Sequence, residues 1–559
     1  MSLYSLHQTY RSINRLREIA LVLSQHGFHQ MLEAAGLSRF LPLSKRFRGR
    51  SGLRGEIPAP VQLRMALEDL GPTFVKLGQM LSTRPDLVPP EFVEEFKKLQ
   101  DHVPPFPTEQ ARQIIEAELG AEVWEVLQEL DPEPLAAASM AQVHRAQLAD
   151  GTPVVLKVQR PGIERIVSND LATLYTLVNV LERYVPEARQ FEPRGIVDEF
   201  ARTIRRELDF FLEASNTERF RQNFPEDGEV VIPQVHWELS TRRVLVLEAL
   251  EGVPADDPRV LAGEIADPSR LARTITRAFL KQMFEDGLFH GDLHAGNMLS
   301  LPGDKLGLLD FGAVGYLSEE LQEALGHLFV ALIGRDYAEL ADGFLMLDTL
   351  DESVNMGVFQ RDLRELIEPY HGRPLQDLHL GDILREATQI AIRHRVKVPT
   401  DLTLLVRSVI SVEGLALQLD PEFLVLDMAA PYAKRLLARR LDPRRQARAT
   451  VRVLRDLREF GRSVPRQLTR IFQKMIEGKF AVDFVHQGYE PMIDEIDRSS
   501  NRISLALIIS ALIIGSAVIS HSGRGPLLWD FPVFGILGFT LAGVLGFGLA
   551  FAILRSGKF

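Results

Sequence analysis

The sequence predicts an α+β fold in two lobes, with a helical segment before the lobes and a transmembrane helix hairpin after them. Short runs of strand-forming residues begin near residue 133 and include PVVLKVQ after an Asp-Gly turn, which indicates a small sheet. After residue 268 the spacing of apolar residues becomes mainly helical. Residues 503–520 and 533–554 are uncharged and apolar, and each approaches the roughly 20 residues that a helix needs to cross a bilayer.

The composition is that of a folded protein and suits a reducing compartment. The chain has 559 residues, of which 46% are hydrophobic and 25% are charged, and this length suits more than one packed domain. It contains no Cys, which excludes disulfides, thiolate metal sites and cysteine nucleophiles. The polar amino-terminal stretch lacks the continuous apolar run of a signal peptide.

Breaks rich in proline and charge divide the chain into six predicted segments. Helices are predicted over residues 164–184 and 195–215, and strands over 231–235 and 243–250. The predicted segments are 1–60, basic helices; 61–130, a helical extension; 131–255, a small lobe; 256–430, a helical lobe; 431–500, basic amphipathic helices; and 501–559, two transmembrane helices.

Basic residues are concentrated just before the predicted hairpin. Residues 434–479 contain fifteen Lys or Arg against four Asp or Glu. Apolar residues recur there at Val451, Leu454, Leu457 and Phe460, which predicts an amphipathic basic helix. Such a helix is usually a solvated surface, but the neighbouring hairpin favours an anionic phospholipid membrane as its partner and argues against nucleic acid. The positive-inside rule places both chain ends in the cytoplasm.

The segment GLFHGDLHAGNML, residues 287–299, places four polar side chains between two apolar runs. His290, Asp292, His294 and Asn297 could hold a metal, line a water-filled cleft or form the catalytic loop of a phosphotransferase. A zinc site is disfavoured because no third ligand stands at suitable spacing. The other two interpretations depend on what accompanies the loop along the chain.

Two further motifs favour the phosphotransferase. Asp310 ends an apolar strand in LLDFGAV, and Lys157 lies inside the apolar strand VVLKVQ. The order of a strand Lys, H-x-D-x-x-x-x-N and D-F-G is the signature of the protein-kinase fold. In this signature Asp292 orients or deprotonates the attacking nucleophile, and Asn297 and Asp310 bind a magnesium ion. His290 is expected to brace the loop, and His294 has no assigned role.

A buried Lys on a strand needs a carboxylate partner. Lys157 is followed by acidic residues in RRELDFFLEASN, where Glu207 and Glu213 are six residues apart. On one continuous helix, six residues correspond to about 240° of rotation, so only one of the two can face Lys157.

Two features distinguish this chain from ordinary kinases. No G-x-G-x-x-G loop precedes Lys157, and an Ala-rich run stands in its place. The helical segment LGPTFVKLGQMLSTRPDLVPPEFVEEFKKLQDHVPP comes before the small lobe. With KLGQ, the Ala-rich run, VLK, ELD, HGDLHAGN, DFG and the terminal hairpin, the chain closely resembles the UbiB family of atypical kinases over nearly its whole length.

The resemblance implies a protein-kinase-like bilobal fold that binds ATP with Mg²⁺ and whose substrate face is covered by the KLGQ extension. It implies that Lys76 and Gln79 reach towards Glu207 and Asp209. It also implies that Glu213 is the partner of Lys157.

We assign the nucleotide to the small lobe and to the segment that follows its last strand. Val155 stands where many kinases have Ala, so its extra methyl groups should narrow the adenine pocket. The residues assigned to the nucleotide are Ala136, Ala137, Ala138, Ser139, Val155, Lys157, Glu248 and Leu250.

The resemblance also implies the biological role. Family members resemble ATPases or kinases of small or lipid-like molecules, and they support ubiquinone biosynthesis at the bacterial inner membrane. Expected partners are quinone-biosynthesis enzymes, lipid-like quinone precursors and a second copy of the chain. A non-catalytic, nucleotide-gated scaffold would need the same ligands and stays an alternative. A quinone-ring hydroxylase is disfavoured, because the sequence has neither a flavin fingerprint nor a set of iron ligands.

Overall fold

The structure is a computed structural model with two compact units, Met1–Arg448 and Ala449–Phe559. It describes residues 3–34, 57–82, 84, 87–99, 104–184, 192–225, 228–334, 336, 339, 356–370, 380–394, 400–440, 490–522, 526–528 and 531–555.

The first unit begins with helices that precede the sheet. Their bounds are α1 Leu3–Gln25, α2 His29–Ala34, α3 Ala59–Leu70, α4 Pro72–Ser82, α5 Pro90–Phe96, α6 Thr108–Leu119 and α7 Val123–Val126. The KLGQ motif lies on α4. A side chain at Gly78 would lie 2.8 Å from Leu67 Cδ1 and would overlap Leu99, so this close packing of α4 requires glycine.

The small lobe follows and contains one antiparallel sheet. Its elements are β1 Leu127–Leu130, β2 Ala136–Ala137, β3 Ala141–Leu148, β4 Pro153–Gln159, α8 Ile163–Tyr184, α9 Pro193–Glu207, α10 Phe210–Asn223, β5 Val230–Val231 and β6 Val244–Glu248. The strand order is β1-β3-β4-β6, and β2 pairs with β3. Along β4, Val154, Leu156 and Val158 are buried, whereas Val155 and Lys157 lie on the other, more open face.

The helical lobe completes the first unit. Its elements are β7 Val253–Pro254, α11 Pro258–Leu261, α12 Pro268–Lys281, β8 Leu288–His290, β9 Met298–Leu301, β10 Lys305–Leu308, β11 Val314–Tyr316, α13 Glu319–Gly334, α14 Met356–Ile367, α15 Leu380–Arg393, α16 Thr400–Leu419 and α17 Val425–Arg440. Strands pair in the orders β5-β10-β9-β7 and β8-β11. Buried side chains of α12, α13 and α16 share one continuous core, which supports the loops between the short strands.

The second unit contains a helix hairpin. Its elements are α18 Glu490–Ser522, β12 Leu527–Leu528, β13 Phe531–Pro532 and α19 Val533–Arg555. Ser516 and Ala542 are buried between the helices, while Phe547 is 79% exposed. An apolar side chain that points outward to this extent suits lipid rather than water.

Three described helices are long and apolar enough to cross a membrane. Two are in the hairpin, at Ser499–His521 and Val533–Ala550, and the third window is Asp401–Leu419 of α16. The window in α16 is 44% buried, against 6% and 11% for the two in the hairpin. Helix α16 is therefore accounted for as a core helix of the helical lobe.

The structure differs from the sequence-based prediction in three places. Strand β1 lies in a stretch predicted to be helical, because its backbone pairs with the edge of β3. The helix predicted over 195–215 is two helices, since the Asp209 carboxylate accepts the Phe211 N–H and starts a new helix. The strand predicted over 231–235 is reduced to Val230–Val231. The predicted segment boundaries stay predictions, and the amphipathic helix predicted near 451–460 lies outside the described residues.

Candidate functional site

The centre of the candidate site is Lys157, on the open face of β4. Its Nζ donates to both carboxylate oxygens of Glu213, at 2.8 and 2.9 Å. The same Nζ lies 3.4 Å from Asp310 Oδ2 and 5.5 Å from the centre of the Phe210 ring. Two carboxylates and one aromatic face thus hold the ammonium group in a fixed position.

Helix α10 supplies the partner of Lys157. Glu213 lies one turn into this helix and is 5% exposed. Glu207 ends the preceding helix, so the two glutamates belong to different helices and the single-helix premise of the sequence argument was wrong. Of these two glutamates, Glu213 forms the ion pair with Lys157 and Glu207 forms one with Lys76.

Asp310 enters the site in an unusual backbone conformation. Its φ of 54° lies in the left-handed region, and its Oδ1 accepts the Gly312 N–H at 3.1 Å. The next residue, Phe311, is fully buried, and its ring lies 4.8 Å from that of Phe220. Its carbonyl accepts a hydrogen bond from Asn216 of α10 at 3.0 Å. These contacts fix Asp310 while leaving its side chain 48% exposed.

The charges of the cluster shift one another's ionisation. Burial raises the pKa of Glu213 to about 7, because its carboxylate loses hydration and the ammonium of Lys157 only partly compensates. The charge of Lys157 lowers the pKa of Asp310 to about 2. Burial acts to lower the pKa of Lys157, but the carboxylates of Asp310 and Glu213 outweigh burial and raise it. Lys157 and Asp310 are therefore both charged at neutral pH.

His290 is a brace of the loop. Its ring is fully buried, Nδ1 accepts the Asp292 N–H at 3.1 Å and Nε2 lies 2.9 Å from the Leu309 carbonyl. Because a backbone N–H can only donate and a carbonyl can only accept, the imidazole is neutral with its proton on Nε2. Burial also lowers the pKa of His290. The ring thereby ties the loop to the segment that joins β10 to Asp310.

Asn297 closes the same loop. Its Nδ2 donates to the backbone carbonyl of Asp292 at 3.0 Å, and the backbone carbonyl of Asn297 accepts the Leu309 N–H at 2.9 Å. The first bond orients the amide, since only its nitrogen can donate, and Oδ1 is then the atom of the side chain that could bind a cation. His294 Nδ1 accepts the Gly296 N–H, and its Nε2 is 4.0 Å from Asp292 Oδ2.

These residues fit a magnesium ion that is held partly by a bound phosphate. Asp310 and Asn297 offer a carboxylate and an amide oxygen, and Mg²⁺ commonly uses one or two protein oxygens together with substrate phosphates. Within the described part of the chain, no group of three His, Cys, Asp or Glu side chains is arranged to hold a metal by itself.

Asp292 has a partner that the sequence did not reveal. Its Oδ1 accepts a hydrogen bond from Nη2 of Arg407, which lies 115 residues later on α16. The available signal was a charged residue in the apolar run TLLVRSVISV, because a cation in such a run needs a partner.

Among the described residues, two ion pairs join α4 and the chain just after it to the small lobe. Lys76 Nζ lies 2.6 Å from Glu207 Oε1, and Arg84 Nη1 lies 2.5 Å from Glu199 Oε2. Both acceptors are on α9, so the pairs connect the extension to a single helix.

Gln79 and Asp209 differ from the arrangement that the resemblance implied. The Gln79 amide donates to the Leu99 carbonyl at 3.1 Å, within the extension. Asp209 caps α10 and its Oδ2 lies 3.5 Å from Arg242 Nε. Gln79 therefore stabilises the extension, and Asp209 stabilises the start of the helix that carries Glu213.

The Ala-rich run forms a tight hairpin. Ala136 and Ala137 pair with β3, and the Ala138 carbonyl accepts a hydrogen bond from Arg160 Nε at 2.7 Å. Ser139 is fully buried, and its hydroxyl has no hydrogen-bond partner among the described residues. The Cβ atoms of these alanines give the hairpin less backbone freedom than a Gly-rich loop has and keep its backbone slightly farther from any ligand.

The remaining residues assigned to the nucleotide lie around β4 and β6. Val155 is half-buried on the same face of β4 as Lys157. Glu248 accepts the Gln234 N–H at 3.1 Å through Oε2, so its side chain supports the segment between β5 and β6. Leu250 lies against Gly307 of the helical lobe.

An antiparallel sheet with a Lys–Glu pair, a loop carrying Asp and Asn, and a following Asp-Phe-Gly define a kinase-like protein. Family comparisons match the ABC1 atypical kinase-like domain to residues 98–343. They match the UbiB helical domain to residues 363–424 and the ABC1/UbiB kinase-like C-terminal domain to residues 487–555. The chain belongs to the ABC1/UbiB family of atypical kinase-like proteins.

Individual relatives extend over most of the chain. An "uncharacterized protein in hydrogenase 1 5' region" of Clostridium pasteurianum is 32% identical over 98% of this chain and 99% of its own length. A "probable protein kinase UbiB" of Pseudomonas putida is 35% identical over 83% of this chain and 85% of its own. A solved Mycobacterium tuberculosis protein in complex with erythromycin is 27% identical, with a TM-score of 0.47 over 64% of this chain and 91% of that one.

Proposed function

We propose that this chain is a membrane-anchored atypical kinase or ATPase that binds Mg-ATP and supports ubiquinone biosynthesis. The observation that carries the proposal is the cluster of Lys157, Glu213 and Asp310, with Nζ–O distances of 2.8 to 3.4 Å. A structural ion pair has no need of a second, half-exposed carboxylate in a left-handed conformation. A phosphate–metal site does, because the metal needs an open carboxylate and the phosphate needs the ammonium.

Each polar residue of the site has a distinct part in this proposal. Lys157, positioned by Glu213, binds phosphate oxygens. Asn297 and Asp310 hold the metal, and Asp292 orients the attacking hydroxyl or water. Mg-ATP, when bound, supplies the phosphoryl group and the cation that neutralises its charge.

The extension favours a small or lipid-like acceptor over a protein. Lys76 on α4 is tied to Glu207 at the end of α9, so α4 is attached to the helix that directly precedes α10, which carries the partner of Lys157. A helix held there restricts a long peptide more than it restricts a small or lipid-like molecule. We extend this to lipid-like quinone precursors, because several relatives carry the name UbiB.

The hairpin supports a location at the bacterial inner membrane with the kinase-like lobes in the cytoplasm. Its two helices present apolar side chains outward, and the basic segment before it would face anionic headgroups. Quinone-biosynthesis enzymes and a second copy of the chain are the protein partners proposed for this setting.

The proposal is tested by ATP turnover of the purified full-length protein in lipid vesicles. We expect Mg²⁺-dependent turnover that rises when quinone-precursor phenols are added, and none from the Asp310→Asn variant. Mg²⁺-dependent ATP binding without turnover under every condition would favour the nucleotide-gated scaffold instead.

A further inference from the structure

Arg407 lies beside the Asp292 carboxylate, and its contribution to the stability of the fold does not explain why a cation is placed there. Residues 402–412 of α16 carry no other charge. The side chain of Arg407 is 45% exposed and that of its partner Asp292 is 35% exposed. Ion pairs with this exposure typically contribute little to stability. A stretch of helix without any other charge thus places a cation at the candidate catalytic carboxylate for little gain in stability.

The helix that carries Arg407 is fixed to the catalytic loop on both sides of this residue. Ser408 Oγ donates to the His290 carbonyl at 3.0 Å in a buried contact. One turn before Arg407, Leu404 packs near Gly291. Six residues before Arg407, Asp401 accepts the N–H of Tyr316 on β11 at 3.4 Å. Arg407 is therefore held by a rigid, packed element, which is the arrangement expected of a residue that must meet a reacting group accurately.

The charge of the site calls for such a cation. A phosphoryl group in transfer spreads negative charge over three oxygens, and here it would pass beside the Asp292 carboxylate. Lys157 is already shared between Glu213 and Asp310. The Arg407 guanidinium has five N–H donors in a planar fork that matches phosphate oxygens, and the contact with Asp292 occupies only part of it.

We propose that Arg407 is a catalytic residue that contacts the phosphoryl group during its transfer; this rests on the function proposed above. In that step the bond between the γ-phosphorus and the bridging oxygen of ADP breaks as a bond from the acceptor oxygen forms. The acceptor proton passes to Asp292. Arg407 donates to the phosphoryl oxygens while it holds Asp292, in the manner of an arginine finger supplied by the same chain.

Two other roles are distinguishable by experiment. In the first, Arg407 only orients the Asp292 carboxylate and does not contact the phosphoryl group. In the second, Arg407 covers that carboxylate and so inhibits turnover. The test measures binding rather than turnover, using full-length protein with Mg²⁺ and either ATP or ADP with aluminium fluoride, a mimic of the phosphoryl group in transfer. The variants are Arg407→Gln and Arg407→Lys, each made alone and with Asp292→Asn.

We expect Arg407→Gln to weaken binding of ADP with aluminium fluoride by about tenfold or more, while ATP binding changes less than about twofold. The loss should persist when Asp292→Asn is present. Arg407→Lys keeps the charge but not the planar fork, so its affinity for ADP with aluminium fluoride should lie between those of wild type and Arg407→Gln. This variant also provides the test if Arg407→Gln does not fold. Arg385→Gln removes an exposed Arg paired with Asp382 on α15 and is the matched control.

Two results would overturn the inference while leaving the proposed function in place. One is a loss that disappears in the Asp292→Asn background, which would make Arg407 a positioning residue. The other is faster turnover in Arg407→Gln, which would make it an inhibitory cover. Wild-type protein that binds neither nucleotide mixture would instead overturn the proposed function itself.

Discussion

Lys157 and Glu213 are joined by two hydrogen bonds of 2.8 and 2.9 Å across 56 residues of sequence. The pair connects β4 with α10, and α10 also holds the Phe311 carbonyl through Asn216. One helix thus sets the position of both the strand Lys and the Asp-Phe-Gly turn. Loss of the pair should disturb both sides of the candidate nucleotide site together.

The first prediction concerns pH and stability. Burial raises the pKa of Glu213 from 4.5 to about 7, so between these values the folded protein binds a proton that the unfolded chain does not. The contribution of Glu213 to stability therefore falls as pH rises through this window. The Glu213→Gln variant cannot titrate, so its melting temperature should improve relative to wild type between pH 5 and 7.5.

Differential scanning calorimetry at several pH values measures this difference. Glu164→Gln, an exposed change on α8, serves as the control. If the difference in melting temperature between wild type and Glu213→Gln stays constant with pH, the raised pKa does not belong to Glu213.

The second prediction concerns the metal. Asp310→Asn should abolish Mg²⁺-dependent ATP binding, because a neutral amide is a much poorer ligand than a carboxylate for a hard dication. A Mg²⁺ titration followed by equilibrium ATP binding measures the effect. Asp382→Asn, which alters an exposed carboxylate on α15, should bind like wild type. Unchanged Mg²⁺ dependence in Asp310→Asn would remove Asp310 from the metal site.

The third prediction concerns the extension. Lys76 and Glu207 form a partly exposed pair at 2.6 Å, so the coupling between them should be about 0.5–1 kcal/mol. Lys76→Ala should increase hydrogen exchange over residues 72–82 and change the rates of ATP binding and release. Glu207→Ala should have the same effect, and the double variant should be little worse than either.

Arg84→Ala provides the comparison, since it breaks the other ion pair between the extension and α9. It should loosen the extension with a smaller effect on nucleotide rates, because Glu199 lies two turns of α9 before Glu207. Additive effects of Lys76→Ala and Glu207→Ala would show that the pair does not control the extension.

Local signals in the sequence predicted much of the fold and the centre of the site. The strand Lys, the loop spacing from Asp292 to Asn297 and the Asp-Phe-Gly turn are short-range patterns, and they predicted the kinase-like fold that the structure has. The terminal hairpin was equally visible, because the length of an apolar run and the absence of charge suffice to indicate a membrane-spanning helix.

The remainder depended on tertiary contacts that no local pattern contains. Arg407 meets Asp292 only because Ser408 and its neighbours dock α16 on the loop. The break between α9 and α10 depends on the Asp209 side chain, which caps α10 by accepting the Phe211 N–H. The helical spacing of apolar residues does not reveal this cap. Gln79 donates to the Leu99 carbonyl within the extension, whereas the resemblance implied that it reaches towards Glu207 and Asp209.

The fourth prediction concerns the membrane. Residues 434–479 carry a large excess of Lys and Arg, and each cation near an anionic leaflet contributes on the order of 1 kcal/mol. A fragment lacking residues 501–559 should therefore bind anionic vesicles, ignore neutral ones and dissociate as salt rises. The fragment keeps the whole first compact unit, Met1–Arg448. ATP turnover should rise with anionic vesicles and fall again when salt is added.

Vesicle sedimentation and phosphate release on the same samples measure both effects. A variant with several Arg between 439 and 458 changed to Gln is the control, because it removes charge and keeps most of the apolar spacing. Equal binding to neutral vesicles would show that apolar insertion is the cause. Binding without a change in turnover would limit the segment to anchoring.

The central claim is that the site transfers or hydrolyses the terminal phosphate of ATP, with Asp292 orienting the nucleophile. The most direct measurement is single-turnover loss of the γ-phosphate from ATP by excess full-length protein in anionic vesicles with Mg²⁺. Wild type should release or transfer the phosphate, whereas Asp292→Asn should bind ATP with similar affinity and react about a hundredfold or more slowly. Equal rates in the two proteins, or intact ATP on wild type after prolonged incubation, would contradict the account.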